Sequence, residues 1–135
     1  MKIKIIPFRG IKAPVRAHYN DAGADVYAPE NLHIPPGRTK KIPLGFGLEI
    51  PDGFMGLLYT RSSMAAEGLA VEMPPIDSGY RGEIHCIITN HSGETYRGHA
   101  GDRIGQLVIQ PVIMADFVTE LGEERSAGAF GSTGK

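Results

Sequence analysis

Apolar and polar residues alternate with a period of two in four stretches of this chain: Ile3 and Ile5; Phe46, Leu48 and Ile50; Ile84, Cys86 and Ile88; and Ile104, Gln106 and Val108. Successive side chains of a strand point to opposite faces, so the pattern predicts half-buried strands. Shorter runs at 25–28, 40–44, 55–59 and 112–119 also read as strands. Turn signals such as Pro35-Pro36-Gly37, Pro51-Asp52-Gly53 and Ser92-Gly93 separate them, at the spacing of a sandwich, jelly roll or barrel. Eighteen glycines and ten prolines leave little room for a helix of ordinary length. One segment departs from the strand pattern. Serines open 62–68, helix formers fill its middle and Gly68 stands where a C-terminal cap would sit, which predicts a helix of one or two turns. From Gly122 to Lys135 the periodicity stops, and glycines and hydroxyl residues predict a flexible tail.

Length changes this picture only by limiting it to one domain: 135 residues bury one core comfortably and two poorly. With 41% hydrophobic and 21% charged residues the chain is of globular type, and its apolar runs are far shorter than a bilayer span. The first residues carry two lysines but neither a long apolar region nor a small-residue cleavage site, so a cytoplasmic protein is expected, in the host cytoplasm if the source is a phage or virus. A single cysteine, Cys86, excludes an intrachain disulfide and is expected to be a buried small hydrophobe. No two of the five histidines have the i, i+4 spacing of a zinc helix. Net charge is −1, with both signs mixed along the chain. A long polyanion needs a basic stripe, so duplex nucleic acid is not the expected partner, whereas a small anion needs only a few local arginines.

Five segments carry residue types that chemistry can use. In Tyr59-Thr60-Arg61-Ser62-Ser63, a guanidinium fork and two hydroxyls precede a helix start, a phosphate-binding combination; the alternative is that the serines only cap the helix. Pro74 to Glu83 is a rigid turn, plausibly a hairpin, in which Asp77 can orient a water and Tyr80 can form a flat wall, unless both are ordinary turn residues. Asp25 follows small residues at a strand start and can hold metal-bound waters or cap a loop. Gln106 interrupts what should be the apolar face of a strand, where its amide needs a backbone or ligand partner. The last segment, 125–134, combines Arg125, glycines and hydroxyls suited to a strap over phosphates, with Phe130 able to stack on a base.

In order and approximate spacing these five segments resemble the motifs of the dUTPase family: AGADVYA at 22–28, RSSMAAEGL at 61–69, IDSGYRGEI at 76–84, GDRIGQLVI at 101–109 and GAFGSTG at 128–134. The resemblance implies an all-β, jelly-roll-like distorted barrel with one very short helix. It also implies a homotrimer whose active sites draw on all three subunits, with residues 1–121 as the β domain and 122–135 as a strap donated to a neighbour. The implied activity is hydrolysis of dUTP to dUMP and pyrophosphate, which lowers dUTP and supplies dUMP for thymidylate synthesis, with Mg2+ as cofactor. Asp77 matches the carboxylate that deprotonates the attacking water, and Tyr80 the ring against the deoxyribose. Arg61, Ser62 and Gln106 match phosphate contacts, Asp25 the carboxylate that holds magnesium through water, and Phe130 the ring stacked on uracil. Arg125, Ser132 and Thr133 match contacts to the terminal phosphates, and Ser63, Ile76 and Gly131 complete the expected substrate contacts.

The chain departs from the family pattern in three places. Pro74 and Pro75 replace the glycine-containing approach whose backbone reads the uracil edge, so the reading groups lie around 70–73 or the base is selected less strictly or by other means. Thr60 stands where proline is usual, and Ala129 where a second glycine is usual. Other readings of the same residues are a dCTP deaminase-like enzyme of the same superfamily, a non-enzymatic nucleotide-binding regulatory trimer, and a small jelly-roll assembly subunit.

Overall fold

The computed structural model describes residues 1–10 and 12–122. Among them are ten strands and one helix: β1 (Lys4–Pro7), β2 (Ala24–Tyr27), β3 (Leu32–Ile34), β4 (Thr39–Pro43), β5 (Phe46–Glu49), β6 (Phe54–Tyr59), α1 (Ser62–Ala66), β7 (Leu69–Val71), β8 (His85–Asn90), β9 (Tyr96–Gly98) and β10 (Arg103–Pro111). They form four small antiparallel sheets, ordered β1-β5, β2-β10-β6, β3-β9 and β4-β8-β7. The architecture is the all-β, jelly-roll-like fold with one very short helix that the resemblance implies.

The period-two pattern explains why these residues pair as they do. Ile84, Cys86 and Ile88 alternate inward, and the inward row continues to Asn90. The facing β4 places Ile42 opposite Cys86, so both strands turn one face to a core that also takes Val26, Ile34, Phe46, Ile50 and Ile104. Each such side chain, fully buried, contributes about 1.5–3 kcal/mol relative to exposure. Burial pushes the Cys86 thiol up to about 12, so it stays a thiol at neutral pH and behaves as the small hydrophobe expected.

Three differences from the sequence pattern have physical reasons. Val112 donates its N–H to Gly53 O at 2.9 Å, but beyond it 113–119 is not a strand, because no neighbouring strand of the described residues pairs with it. Its apolar side chains instead face outward, with Ile113 89% and Phe117 96% exposed. β3, β7 and β9 were not apparent in the sequence because three residues are too few to establish a period. In β10 the register against β2 shifts between Arg103 and Gly105, so that Ile104 and Gly105 are both buried and Leu107 follows on the inner side. Gln106 therefore does not interrupt the apolar face; the bulge turns it to the other side.

The short helix is also capped differently than its sequence suggests. Arg61 is its N-cap, and neither serine makes a side-chain cap. Its C-terminal end does fit expectation, since Gly68 follows in the left-handed region at φ +87°, where a Cβ would be strained. Thr60 accepts the Val71 N–H on its Oγ1 at 2.8 Å and so ties the approach to the helix to β7.

Candidate active site

Two groups of polar side chains are arranged along β6 and its neighbours. The first grows out of the Ile76 bridge. Ile76 is buried and exchanges two backbone hydrogen bonds with Gly56 of β6, at 2.7 and 3.0 Å. A Cβ on Gly56 would lie 3.3 Å from that of Ile76, so glycine allows the close approach. The chain then leaves the core at Asp77, whose carbonyl accepts the Tyr80 N–H at 3.1 Å to close a turn. This is a turn held by one isolated bridge, not the hairpin that the double proline suggested. Ser78 Oγ donates to Asp52 Oδ1 at 3.0 Å, and the Arg81 guanidinium donates to the Ser78 carbonyl. Tyr80 Oη donates to the Glu83 carbonyl at 2.7 Å, with its ring over Gly82, where a Cβ would sit 2.6 Å from Oη.

Glu83 fastens this turn to the body of the molecule. Its carboxylate accepts the Gly45 N–H at 2.8 Å and pairs with the Arg9 guanidinium. Burial pushes its carboxyl up, but the Gly45 and Arg9 donors outweigh that and hold it below its ordinary value. Because the folded pKa is depressed, the stability contributed is present above the ordinary carboxylate pKa and is lost as pH falls through the depressed value. Glu83→Gln should therefore destabilise the protein at neutral pH, with the deficit shrinking in acid, as denaturant titrations across that range would register. A deficit independent of pH would contradict the ion pairing.

Asp77 itself is exposed and borders two cavities. One, of about 270 Å3, lies against Pro75, Ile76 and Tyr80; the other, of about 510 Å3, against Asp52, Phe54 and Met114.

The second group gathers around Asp25 at the other end of β6. In the three-stranded sheet Gln106 stands between Asp25 on β2 and Tyr59 on β6, and Gly23 makes room for it, since a Cβ there would come within 2.9 Å of the glutamine. Asp25 is buried between two guanidinium groups, with Arg61 Nε 3.7 Å from Oδ1 and Arg103 Nη1 3.7 Å from Oδ2. Neither separation is a hydrogen bond. Asp25 Oδ1 and Arg61 Nε are both buried without a partner, an arrangement in which a ligand would satisfy groups that the protein leaves unmet. Beside them Arg61, Ser63, Glu67, Tyr96 and Asp102 line a polar cavity of about 440 Å3. Burial first, and then Asp102 and Glu67, push the Tyr96 hydroxyl up, so it remains a hydrogen-bond donor.

A family model described as dUTPase matches residues 9–134. The chain belongs to the dUTPase family. It is 41% identical to the deoxyuridine 5'-triphosphate nucleotidohydrolase of Nocardia farcinica, over 96% of this chain and 85% of that one, and 43% identical to that of Gloeobacter violaceus, over 90% and 88%. Among solved structures, the dUTPase of phage phi11 of S. aureus superimposes with a TM-score of 0.81 at 26% identity, covering 94% of this chain and 100% of that chain. A mutant of the phi11 enzyme is described with a coordinated structural Mg(II) ion.

Within this dUTPase-family chain the residues expected from sequence divide between the two groups. Ile76, Asp77 and Tyr80 stand together, as do Asp25, Arg61 and Gln106, with Ser62 and Ser63 on the first turn of α1 beside Arg61. Arg125, Phe130, Gly131, Ser132 and Thr133 lie outside the described residues. Sequence reasoning missed Arg103 and Glu83. The signal for Arg103 was available, since a carboxylate in a strand interior requires cations nearby. The described residues hold no group of three carboxylate, histidine or cysteine side chains able to chelate a metal. A lone carboxylate with one unpartnered oxygen fits magnesium held through water, because Mg2+ keeps several waters and takes substrate phosphates as ligands.

Proposed function

We propose that this chain hydrolyses dUTP to dUMP and pyrophosphate as a magnesium-dependent homotrimer with composite active sites. The observation that carries the reading is the division of the site. Asp77 with Tyr80 and the arginine-rich Asp25 group belong to opposite ends of one strand: Ile76 pairs with Gly56, Gln106 pairs with Tyr59, and Arg61 lies five residues beyond Gly56. At about 3.4 Å per residue, the three-residue step along the strand from Gly56 to Tyr59 spans on the order of 10 Å, and Arg61 lies two residues beyond the strand end. A second copy supplying the other group brings them to one nucleotide. The exposed apolar side chains of 113–121 support the same assembly, since apolar surface of this kind marks contacts between proteins. The strap from 122 onward then reaches a neighbouring site.

The residues present suit water attack on the α-phosphorus. Asp77, fixed by the turn, accepts the proton of the attacking water. Arg61 and Gln106 hold phosphate oxygens, and the Tyr80 ring lies against the deoxyribose, where it excludes a 2′-hydroxyl. Arg125, Ser132 and Thr133 add contacts to the terminal phosphates, and Phe130 stacks on the base. Asp25 would hold magnesium through water, and the bound ion would neutralise charge on the triphosphate. No nucleophilic side chain is needed.

A panel of dUTP, dCTP, dTTP and UTP with magnesium tests the activity, with pyrophosphate and ammonia both measured. Preference for dUTP with pyrophosphate release is the expected result. Absence of that preference would refute it, and ammonia from dCTP would assign a deaminase instead. Sharing of sites is tested by co-refolding two inactive chains, Asp77→Asn and Arg61→Met. Mixed trimers should regain activity, because some sites then receive both intact groups.

A further inference from the structure

The cavity beside Asp77 and Tyr80 must hold the base if the chain acts on dUTP, yet its backbone has few groups left to read one. Pro74 and Pro75 have no N–H. The Glu72 N–H is spent on Ile87 O at 2.9 Å, and that of Ile76 on Gly56 O at 2.7 Å. Four of the five backbone positions from 72 to 76 are thus without a free donor. Recognition falls to side chains.

Most of the cavity wall is apolar, which suits the faces of a flat ring, and Lys41 and His85 bring nitrogen groups to its sheet side. The registers put both on the outward face of the β4–β8 pair, with Lys41 opposite Ile87 and His85 opposite Pro43, while Ile42 and Cys86 between them fill the core. Diagonal neighbours on one face stand about 7–8 Å apart, a separation from which two side chains can reach adjacent atoms of one ring edge. Their chemistry is complementary. His85 Nδ1 lies 3.2 Å from the Glu83 carbonyl oxygen. That oxygen can only accept, so Nδ1 carries the hydrogen and Nε2 of the neutral ring presents a lone pair. Lys41 offers only donors.

We propose that Lys41 and His85 select the base in this chain: Lys41 donates to the carbonyl oxygen at C4 and His85 Nε2 accepts the N3–H. The assignment rests on the proposed action on dUTP and deepens it. Uracil and thymine present an acceptor and then a donor along this edge, whereas cytosine presents the exocyclic amine and then the N3 lone pair. Cytosine therefore sets donor against donor and acceptor against acceptor, leaving both pairs unmade in a largely apolar cavity. The two side chains replace the backbone reading that the prolines remove.

The test compares kcat/KM for dUTP, dTTP and dCTP in the wild type, Lys41→Met, Lys41→Arg and His85→Phe. Each of Lys41→Met and His85→Phe should lower the ratio of dUTP to dCTP by about tenfold or more, through KM, with dTTP falling in parallel with dUTP. Lys41→Arg, which keeps donors, should retain most of the ratio. Thermal melts identify a misfolded His85→Phe, and exposed Lys41 carries the test in that event. A selective wild type whose ratio stays within about twofold in Lys41→Met overturns this inference alone. A wild type with no preference for dUTP overturns the function and the inference together.

Discussion

Asp77→Asn should lower kcat for dUTP hydrolysis by about 10²–10⁴-fold while the protein folds and binds nucleotide as before, because that is the contribution typical of a positioned general base. The substitution is nearly isosteric, so the loss reports proton acceptance. What holds the turn is backbone: the paired bonds of Ile76 to Gly56 and the Tyr80 N–H to the Asp77 carbonyl. None of these uses the Asp77 side chain. Melting temperature and binding of a non-hydrolysable dUTP analogue should therefore match the wild type. Retention of more than about a tenth of wild-type kcat would remove Asp77 from the role of base.

The largest expected effect on stability is at Asn90. This side chain is fully buried at the end of β8, donates from Nδ2 to the carbonyls of Ile34 at 2.8 Å and Glu94 at 2.7 Å, and accepts on Oδ1 from Ser92 N at 2.9 Å and Ser92 Oγ at 2.7 Å. One amide thus joins the β3 edge to the turn between β8 and β9. Asn90→Asp keeps the shape but presents a carboxylate oxygen to two carbonyls. The cost is roughly 3–5 kcal/mol, from two unmet acceptors and a buried charge, a large share of what a domain of this size possesses. Because burial and the carbonyls raise the folded pKa of the introduced acid, the destabilisation should be greatest at neutral pH and ease in acid. Urea titrations at both pH values would measure this; a loss under about 1 kcal/mol at neutral pH would contradict it.

Both sites show what a sequence makes legible. Period-two alternation carries the long strands because each spans several turns of the pattern, and β8 shows it most cleanly. The same signal misses β3 and β9, which pair with each other from Leu32 opposite Gly98 to Ile34 opposite Tyr96, far apart in the chain, and have only three residues each. It misplaces Gln106 because a bulge after Arg103 inverts the phase of everything that follows. It extends a strand through 112–119 because apolar residues that face solvent in one chain read like those that face a core. The motifs name Asp77, Arg61 and Asp25, but the groups that hold them come from distant parts of the chain. Arg9 reaches Glu83 from the loop after β1 and Gly45 from the turn between β4 and β5, and no local pattern links them.

Since both halves of the site are indexed to β6, that strand acts as a fixed ruler. An added residue between Gly56 and Tyr59 would displace one half against the other by about 3.4 Å and turn alternate side chains to the wrong face. Length change is tolerable only where neither a ladder nor a side-chain network counts residues. Descendants of this chain can therefore vary in outline while the interval from Gly56 to Arg61 stays constant.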